Sequence, residues 1–580
     1  MPLALLTLMV APLVATSPEV GAPAPGYEER LVGWGLAQHN RDIETEPEGK
    51  RLEAVLVAAE DVVAESDPYP NFLNLFHVRT REEVIRREVL LEPGELYSSA
   101  LAEETARNLR KLNIFSVVRV VPVKGEAPGT VSLLIITKDI WSLRVSQDFE
   151  VVGSFIRYLR LQGTEANFLG LNQRLAIDFL LRPDTVSLGQ TYINRRVAGS
   201  RWYFGETASI ILGRESGQPE GTRGAVVVQR PLYSLSTPWS VSTSASWNVA
   251  TTRVYRGTGV WQLPYPDGEP VPFIYDTREL SAGGSYTRSY GEYHKANVSG
   301  GVEAYHRSYA APEQAALDDA QREWLRQNHL PRSEDAVYAS LSLSAYEARY
   351  EVMRGVDSYA LSEDFQLGHS VLATVRYAPP VFASAAHYAE LGVAGRYRWR
   401  WSDALTTVSV GGAIRRALGA GGGWTNRRWA AELQQFSPQV LGGRFMARGL
   451  LDVNIDDLFD RVQLLGGANG LRGAPQDAYL GKRLLLVNVE YRSAPVVFQT
   501  LHLGGVLFYD AGSAFDRGPK MVHTVGVGVR FLFPQFNLYP FRLDFGYVLN
   551  DTLPPVGQRF TFSAGQITEY RPDILDSPLR

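Results

Sequence analysis

The chain contains no cysteine among its 580 residues. Disulfide bonds, thiol catalysis and cysteine-ligated metal sites are therefore excluded. An excess of charge of one sign is also lacking, because 58 Lys and Arg residues nearly balance 62 Asp and Glu residues. The resulting net charge of −4 offers no polybasic surface for nucleic acid or acidic lipid. We therefore expect no nucleic-acid partner.

Long apolar runs are missing after residue 16. Since a membrane-spanning helix needs about 18 or more consecutive apolar residues, no helical span is predicted. The apolar block at residues 2–15 has the length of a secretory signal core, although no Lys or Arg precedes it. We expect a signal peptide over residues 1–24, with several possible cleavage sites, and a linker over residues 25–49. The alternative is an apolar N-terminus that folds into a core.

Enzyme motifs are absent as well. The chain has no Gly-x-Ser-x-Gly elbow, no Walker-type phosphate loop and no His-Glu-x-x-His helix. Its nine histidines are scattered, and the acidic pair Asp456-Asp457 lies in a predicted loop, where solvated carboxylates are expected. We expect no catalytic residues, no metal site and no cofactor.

Residues 50–138 combine strand-like and helical patterns in the order β-α-α-β-β. Thr80 and Glu83 form a capping box, which predicts a short helix that starts at Thr80. Apolar residues at three- and four-residue spacing predict a second helix over residues 98–112. The strand-like runs are residues 52–63, 117–123 and 130–137. This pattern predicts a small α+β domain.

Residues 139–570 have a different pattern, in which runs of roughly 10–15 residues alternate between apolar and polar side chains. The clearest runs are 482–492, 524–533 and 540–549, where Val, Leu or an aromatic residue occupies almost every second position. Such alternation is typical of an antiparallel transmembrane β-barrel, because only a closed sheet pairs every backbone group within lipid. A large soluble β-sandwich is the alternative.

Segmentation of this region predicts eighteen strands, an even number that places both barrel ends on one side of the membrane. Long connectors at 254–274, 309–334 and 455–481 then share the outer face. In the second of them, the helical spacing of Leu317, Ala320 and Trp324 fits either a short helix or an ordinary extended loop. The thirteen strands before residue 482 are predicted near 168–181, 185–196, 200–213, 222–233, 238–253, 275–290, 292–307, 335–351, 366–378, 387–400, 404–415, 425–436 and 443–454. Five more follow between residues 482 and 568.

The N-terminal module contains three short segments whose residues resemble those of a known domain. They are residues 93–97 (PGELY), the helical residues 107–110 (RNLR) and residues 113–116 (NIFS). Together with the element order they resemble a POTRA domain, a periplasmic module of outer-membrane assembly barrels. Some other small α+β fold is the alternative. Only one such module fits between the leader and the barrel.

The third long connector contains a glycine pair, Gly466 and Gly467, followed by Leu471, Arg472 and Gly473. An Arg-Gly pair in a loop is uninformative by itself. It becomes informative together with the residues of the two strands that follow.

Those strands carry Glu490 in the first and Phe508, Asp510 and Gly512 in the second. In this order the motifs resemble the BamA/TamA-type assembly and translocation barrels. The resemblance implies that the loop tip enters the lumen, where Arg472 meets Glu490 and Asp510 and stacks on Phe508. Alternation along each strand places Glu490 and Asp510 on faces that would be luminal. An ordinary porin loop with unrelated charges is the alternative.

The sequence departs from the family pattern at two places. Ala474 stands where the family usually has an aromatic residue after Arg-Gly, so the family's packing of the tip does not carry over to this residue. Outer-membrane barrels usually end at an aromatic residue of the last strand, whereas here Tyr570 precedes an extension over residues 571–580.

The resemblance implies a barrel of 16 strands whose first and last strands form a seam that opens sideways. On our segmentation that seam contains Leu175, Ile177 and Phe179 of the first strand and Phe560 and Phe562 of the last. The implied location is the bacterial outer membrane, with the POTRA-like domain in the periplasm.

The resemblance also implies partners: membrane lipid, unfolded outer-membrane or secreted client proteins, and accessory periplasmic or lipoprotein subunits. The implied function is to assist insertion or translocation of other polypeptides, through strand addition at the POTRA-like domain and opening of the seam. A passive pore or surface antigen without clients is the alternative.

Overall fold

A computed structural model describes residues 27–550 with short gaps, together with residues 560–564 and 572–579. The gaps are residues 65–66, 68–69, 71–73, 75–76, 153–154, 257–258, 267, 314–316, 360, 382–383, 385, 420–421, 460, 468, 476, 499 and 537–538. The predicted signal peptide lies outside the described residues. Across the described part, every helix is too short or too polar to cross a membrane.

The N-terminal module is a three-stranded sheet with helices on both faces. Strand β1 (Arg51–Glu60) pairs in parallel with β3 (Thr130–Asp139), and β3 pairs antiparallel with β2 (Phe115–Lys124). Helices α2 (Glu82–Arg86) and α3 (Ser99–Arg110) pack on one face over a buried aliphatic core. The predicted order β-α-α-β-β is therefore the observed one.

A further helix, α1 (Tyr27–His39), covers the second face of the sheet. The expected linker over residues 25–49 is thus wrong for residues 27–39. Leu31 of α1 is buried against Ala58 and Ile136, and Val32, Trp34 and Leu36 are partly buried beside it, but the helix has little amphipathic pattern. Most helices owe their stability to the surface they pack on, and here that surface exists only after the sheet has formed.

Twenty antiparallel strands, β4 to β23, form a closed barrel in the part of the chain that the structure describes. Strands β13 and β19 are each interrupted by one or two residues and so consist of two segments. Both halves of β13 pair with β14, and both halves of β19 pair with β20. The strands are β4 Leu143–Val152, β5 Phe155–Phe168, β6 Gln173–Leu181, β7 Thr185–Asn194, β8 Tyr203–Gly213, β9 Pro219–Arg230, β10 Trp239–Arg253, β11 Ile274–Tyr290, β12 His294–Ala310, β13 Glu334–Glu347 with Arg349–Arg354, β14 Ser362–Ala378, β15 Tyr388–Trp401, β16 Ala404–Ala417, β17 Trp424–Val440, β18 Gly443–Ile455, β19 Arg483–Ser493 with Val496–Phe498, β20 Leu501–Phe515, β21 Val522–Leu532, β22 Phe541–Val548 and β23 Phe560–Ala564.

Against the twenty described strands, the predicted count of eighteen is wrong by two and the count of 16 that the resemblance implies is wrong by four. Each of the eighteen predicted runs corresponds to a strand, but β4 and β5 precede them. Only residues 140–142 separate β3 from β4, and this connection contains no Gly, Pro or Asn to mark the change of sheet. Polar residues also interrupt the apolar face of β5, so the local pattern shows no clear start of the barrel.

The two ends of the barrel differ. The N-terminal module docks at one end, here called the near end, because β4 starts directly after the module. The long connectors all lie at the opposite, far end. One of them holds helix α4 (Asp319–Asn328), whose N-cap Asp318 forms a capping box with Gln321. Of the two alternatives for this connector, the helix is therefore the one observed.

Candidate functional site

The loop over residues 456–482, between β18 and β19, folds back from the far end into the lumen. Short segments Gln463–Leu465 and Tyr479–Gly481 pair at its base. Four glycines in the tip, Gly466, Gly467, Gly470 and Gly473, adopt positive φ angles of 133°, 59°, 94° and 83°. Side chains disfavour this region, so glycine is what permits the tight reversal.

Arg472 at the tip is completely buried and bound by two carboxylates. Its Nε and Nη2 donate to Oδ2 and Oδ1 of Asp510 at 2.9 and 2.8 Å, which is a bidentate pair. Its Nη1 donates to Oε2 of Glu490 at 2.7 Å. The backbone N–H of Arg472 also donates to Asp510 Oδ2 at 3.2 Å. The loop is thereby fastened to β19 and β20 by both side chain and main chain.

Aromatic and amide groups complete the surroundings of this guanidinium. Its carbon lies 3.7 Å from the centroid of the Phe508 ring. Asn488 donates to Asp510 Oδ1 at 2.8 Å and to the carbonyl oxygen of Gly470 at 2.7 Å. The amide thus links the loop backbone to the same carboxylate that holds Arg472.

A third carboxylate, Asp544 on β22, was not assigned to the site from the sequence. Its Oδ2 lies 3.8 Å from Arg472 Nη1, and its Oδ1 accepts from Arg530 at 2.6 Å. Arg492 extends the network from the other side, since its Nε donates to Glu490 Oε1 at 2.5 Å. Side chains alternate along β22 between the lumen and the outer surface, and Asp544 is on the luminal face. Only closure of the barrel brings that face beside the loop.

Backbone contact also fixes the tip. A Cβ on Gly473 would lie 2.5 Å from the carbonyl carbon of Gly546 on β22, so the two main chains touch. Gly512 leaves room for the loop as well, because a Cβ there would meet Leu465 Cδ2 at 3.0 Å. Leu471 and Ala474 are buried in one apolar cluster with Leu465. The small Ala474 therefore occupies a closely packed position.

The residues predicted for the seam lie at two different places. Leu175, Ile177 and Phe179 are on β6, which is the third barrel strand, and their assignment to the first strand is wrong. The error follows from the two missed strands, because the neighbour of the last strand, β23, is β4. Phe560 and Phe562 do lie on β23, although their side chains are outside the described residues.

The N-terminal module covers the near end through contacts with several different turns. Arg110 of α3 donates to both carboxylate oxygens of Asp364 on β14 at 2.6 and 2.7 Å. Glu88 accepts from Arg196, in the turn after β7, at 2.6 Å. Glu104 of α3 accepts from the backbone N–H of Leu235, in the turn after β9, at 2.6 Å. These ion pairs and hydrogen bonds hold the module across the barrel mouth.

A groove between α3 and β2 opens toward the barrel at this interface. It is a cavity of about 610 Å³ lined by α3, β2 and the adjoining ends of β13 and β14. Residues 42–44 hydrogen-bond to the outer edge of β2 only near its end, at Pro122 and Lys124. Among the described residues, no backbone from outside the sheet bonds to β2 residues 116–121.

Lys111 lies at the same interface. Burial lowers the pKa of its ammonium group, and the neighbouring Arg107 adds to the effect. The Arg107 guanidinium carbon lies 4.5 Å from the centroid of the Tyr350 ring on β13. Arg107 is thus buried between α3 and the barrel, whereas Lys111, the residue after α3, keeps exposed surface.

Comparisons with known proteins match this architecture. The model of the Omp85 superfamily domain matches residues 167–567. A curated relative, a putative outer membrane protein assembly factor of Treponema pallidum, is 31% identical over 136 residues, which are 23% of this chain and 16% of that protein. The chain thus matches a small part of the length of that relative.

Several solved structures match the chain at low sequence identity. BamA of Haemophilus ducreyi lacking POTRA domains 1–3 is 11% identical, with a TM-score of 0.34, over 90% of this chain and 87% of that one. CdiB of Acinetobacter baumannii is 9% identical, with a TM-score of 0.36, over 86% and 74% of the two chains. CdiB of Escherichia coli is 10% identical, with a TM-score of 0.41, over 90% and 79%.

Proposed function

The chain belongs to the Omp85 superfamily, and from this premise we propose that it is a bacterial outer-membrane protein that assists insertion or translocation of other polypeptides. The observation that carries the proposal is the position of the groove between α3 and β2. An extended polypeptide bound there lies at the mouth of the barrel. The N-terminal module is then the periplasmic receptor, and the near end of the barrel faces the periplasm.

The first step of the proposed mechanism is strand addition to the edge of β2. β2 is an edge strand of the module sheet, and Arg119 and Val120 are the partly exposed residues within 116–121, so an extended client would pair with the backbone there. Main-chain bonds give such binding little sequence preference, which suits a receptor for unfolded outer-membrane or secreted proteins. No nucleotide is required, because strand pairing and lipid burial supply the free energy.

The second step is opening of the barrel between β4 and β23. β4 and β23 are the first and last strands of the described barrel, whereas all other neighbouring strands follow each other along the chain. Their junction can therefore separate without breaking a pair joined by a connector, which favours it as the place where client strands enter lipid. Accessory periplasmic or lipoprotein subunits would act at the exposed faces of the module.

The loop bound through Arg472 keeps β19, β20 and β22 together while the seam opens. Its partners Glu490 and Asp510 are on strands near the C-terminal side of the seam. In this scheme the loop stabilises one side of the opening. The proposed role of the Arg-Gly tip is therefore to maintain barrel shape during client passage.

Deletion of residues 50–138 tests the proposal against a passive pore. Under either function the barrel should still fold and reach the outer membrane. Under the proposed function, quantitative proteomics of the deletion strain should show a loss of particular outer-membrane or surface proteins. An unchanged proteome would contradict assembly activity and favour the pore.

Photo-crosslinking tests strand addition directly. A crosslinking residue at Arg119, on the β2 edge, should capture in intact cells the same proteins that the deletion depletes. Glu83 on α2 is the matched control, since its side chain is about half exposed on another surface of the module. Equal capture from both positions would contradict a role of the β2 edge.

A further inference from the structure

The C-terminal segment, residues 572–579, lies inside the lumen after the last strand. It contacts the inner wall of β15, β16 and β17, three strands far from β23 in the barrel order. Ile574 and Leu575 form part of a 3₁₀ turn and are 0% and 2% exposed. They belong to the apolar cluster that also contains Leu471 of the 456–482 loop. The side chains of Ile574 and Leu575 are therefore as deeply buried in the lumen as residues of a protein core.

The wall beneath the segment has glycines where a side chain would block it. A Cβ on Gly411 of β16 would overlap the carbonyl oxygen of Ile574. A Cβ on Gly392 of β15 would lie 2.6 Å from Leu579 Cγ. On β16 the neighbouring Val408 and Val410 face outward, so Gly411 is on the luminal face. The two glycines form a recess shaped for a peptide backbone and an aliphatic side chain.

A charged contact joins the start of the segment to the wall, although the Asp573 carboxylate keeps 56% of its surface exposed. Arg428 Nη1 on β17 donates to Asp573 Oδ1 at 2.7 Å. The same guanidinium donates through Nη2 to Asp452 on β18 at 3.0 Å, and Asp452 accepts from Gln463 of the loop at 2.8 Å. The segment and the loop thus depend on one arginine and its partner carboxylate.

We propose that this luminal wall is a binding site for a short peptide with an acidic residue followed by two aliphatic residues, and that the C-terminus of the chain is its built-in, displaceable ligand. Arg428 binds the carboxylate, Gly411 admits the backbone of the two aliphatic residues, whose side chains enter the apolar cluster, and Gly392 admits Leu579 further along the segment. The proposal does not depend on the assembly function. It accounts for residues 572–579, the described residues after β23, which contribute no pair to the barrel ladder.

Occupation of this site reduces the open volume of the lumen. A remaining cavity of about 940 Å³ is bounded on one side by Pro578 and Leu579. Release of the segment would add its own volume to that cavity. The ligand therefore controls how much of the lumen is open.

A cysteine placed in the segment tests whether the wall holds it. Because the chain has no cysteine, Leu575→Cys introduces a single thiol. We expect this buried thiol to resist maleimide, whereas a thiol at the exposed Asp576 reacts at once. Adding Gly411→Val should displace the segment and make Leu575→Cys reactive. Gly412→Val is the matched control, since a Cβ there makes only an ordinary contact at 3.8 Å.

Binding in trans tests whether the site is a separable peptide receptor. A chain that ends at residue 571 should bind a fluorescent synthetic peptide of residues 572–580, measured by anisotropy in detergent. Arg428→Gln in the chain, or Asp573→Lys in the peptide, should weaken binding at least several-fold, and bound peptide should lower the conductance of the truncated barrel. The proposal is overturned if Leu575→Cys reacts as fast as Asp576→Cys in the otherwise unchanged chain, or if the truncated chain does not bind the peptide.

Discussion

The contacts of Arg472 show how a buried charge is stabilised in a luminal loop. A guanidinium removed from water loses several kcal/mol of hydration, and only opposite charges with good hydrogen-bond geometry offset that loss. Here Asp510 supplies a bidentate pair and Glu490 a third bond, while Phe508 covers one face of the group. Replacing Arg472 with an uncharged residue leaves Asp510 and Glu490 buried without their cation, and this accounts for most of the stability that the substitution would lose.

Arg472→Ala should release the loop tip without unfolding the barrel. We expect a local loss of about 1–3 kcal/mol, because buried acceptors lose their donor while the strand ladder is unchanged. The measurement uses Ala474→Cys, a position that is 1% exposed, as the sole thiol. A membrane-impermeant maleimide added to intact cells should label it only in the Arg472→Ala background. Arg472→Lys should give intermediate labelling, because lysine keeps the charge but not the bidentate geometry.

Arg461→Ala is the control for this experiment. Arg461 lies in the same loop, but its side chain is 40% exposed and pairs with Asp457. Surface pairs of this kind contribute little, so labelling at Ala474→Cys should not change. Rapid labelling in the chain with native Arg472 would contradict a buried tip.

Gly473→Ala should disturb the tip as much as loss of the arginine. The residue has a φ of 83°, and the added Cβ would lie 2.5 Å from the carbonyl carbon of Gly546. Gly518→Ala separates the two effects, since Gly518 has a φ of 60° but no atom within 4 Å of an added Cβ. The same thiol assay should show a large change for Gly473→Ala and none for Gly518→Ala. Equal results would contradict the close approach of the two main chains.

Helix α3 makes contacts on two faces. One face packs on the module core, and the other contacts the barrel. Leu109 is fully buried in the core of the module, whereas Arg110 and Glu104 bind barrel residues. The module is thus positioned by a few polar contacts that water can replace. Its docking should be easier to disrupt than its fold.

A charge exchange tests the docking. Arg110→Asp places two carboxylates together at Asp364, so we expect the module to detach and the α3 amides to exchange hydrogen faster. The double variant Arg110→Asp with Asp364→Arg should restore slow exchange, because it restores the pair in reverse. Arg86→Asp is the control, since Arg86 pairs with Glu82 on exposed α2. Fast exchange in the double variant would argue that this pair does not hold the module.

The whole molecule is a barrel whose stability comes from a closed ladder of strands. Backbone bonds in such a ladder are protected from detergent and open only on strong heating. We expect the folded protein to migrate faster than the boiled protein on a detergent gel. A purified protein that stays soluble and monodisperse without detergent would contradict membrane insertion.

The sequence alone determined the features that depend on local spacing. Alternation identified eighteen of the twenty barrel strands in the described residues, and capping and turn residues located α2 and α3 to within about two residues. The loop contact was implied by the resemblance of the Arg-Gly pair and the following strands to the BamA/TamA-type barrels, while alternation placed Glu490 and Asp510 on luminal faces. Such signals lie within short segments and do not need the fold.

The tertiary structure decided everything that depends on which distant surfaces meet. Helix α1 has little amphipathic pattern and forms on a sheet face made elsewhere, and β4 begins without a turn residue. Asp544 reaches Arg472, and the C-terminal segment reaches Gly411, only because the barrel closes and brings remote strands around one lumen. The physical reason is that side-chain period reports which face a residue occupies, whereas strand number, register and closure decide what lies opposite that face.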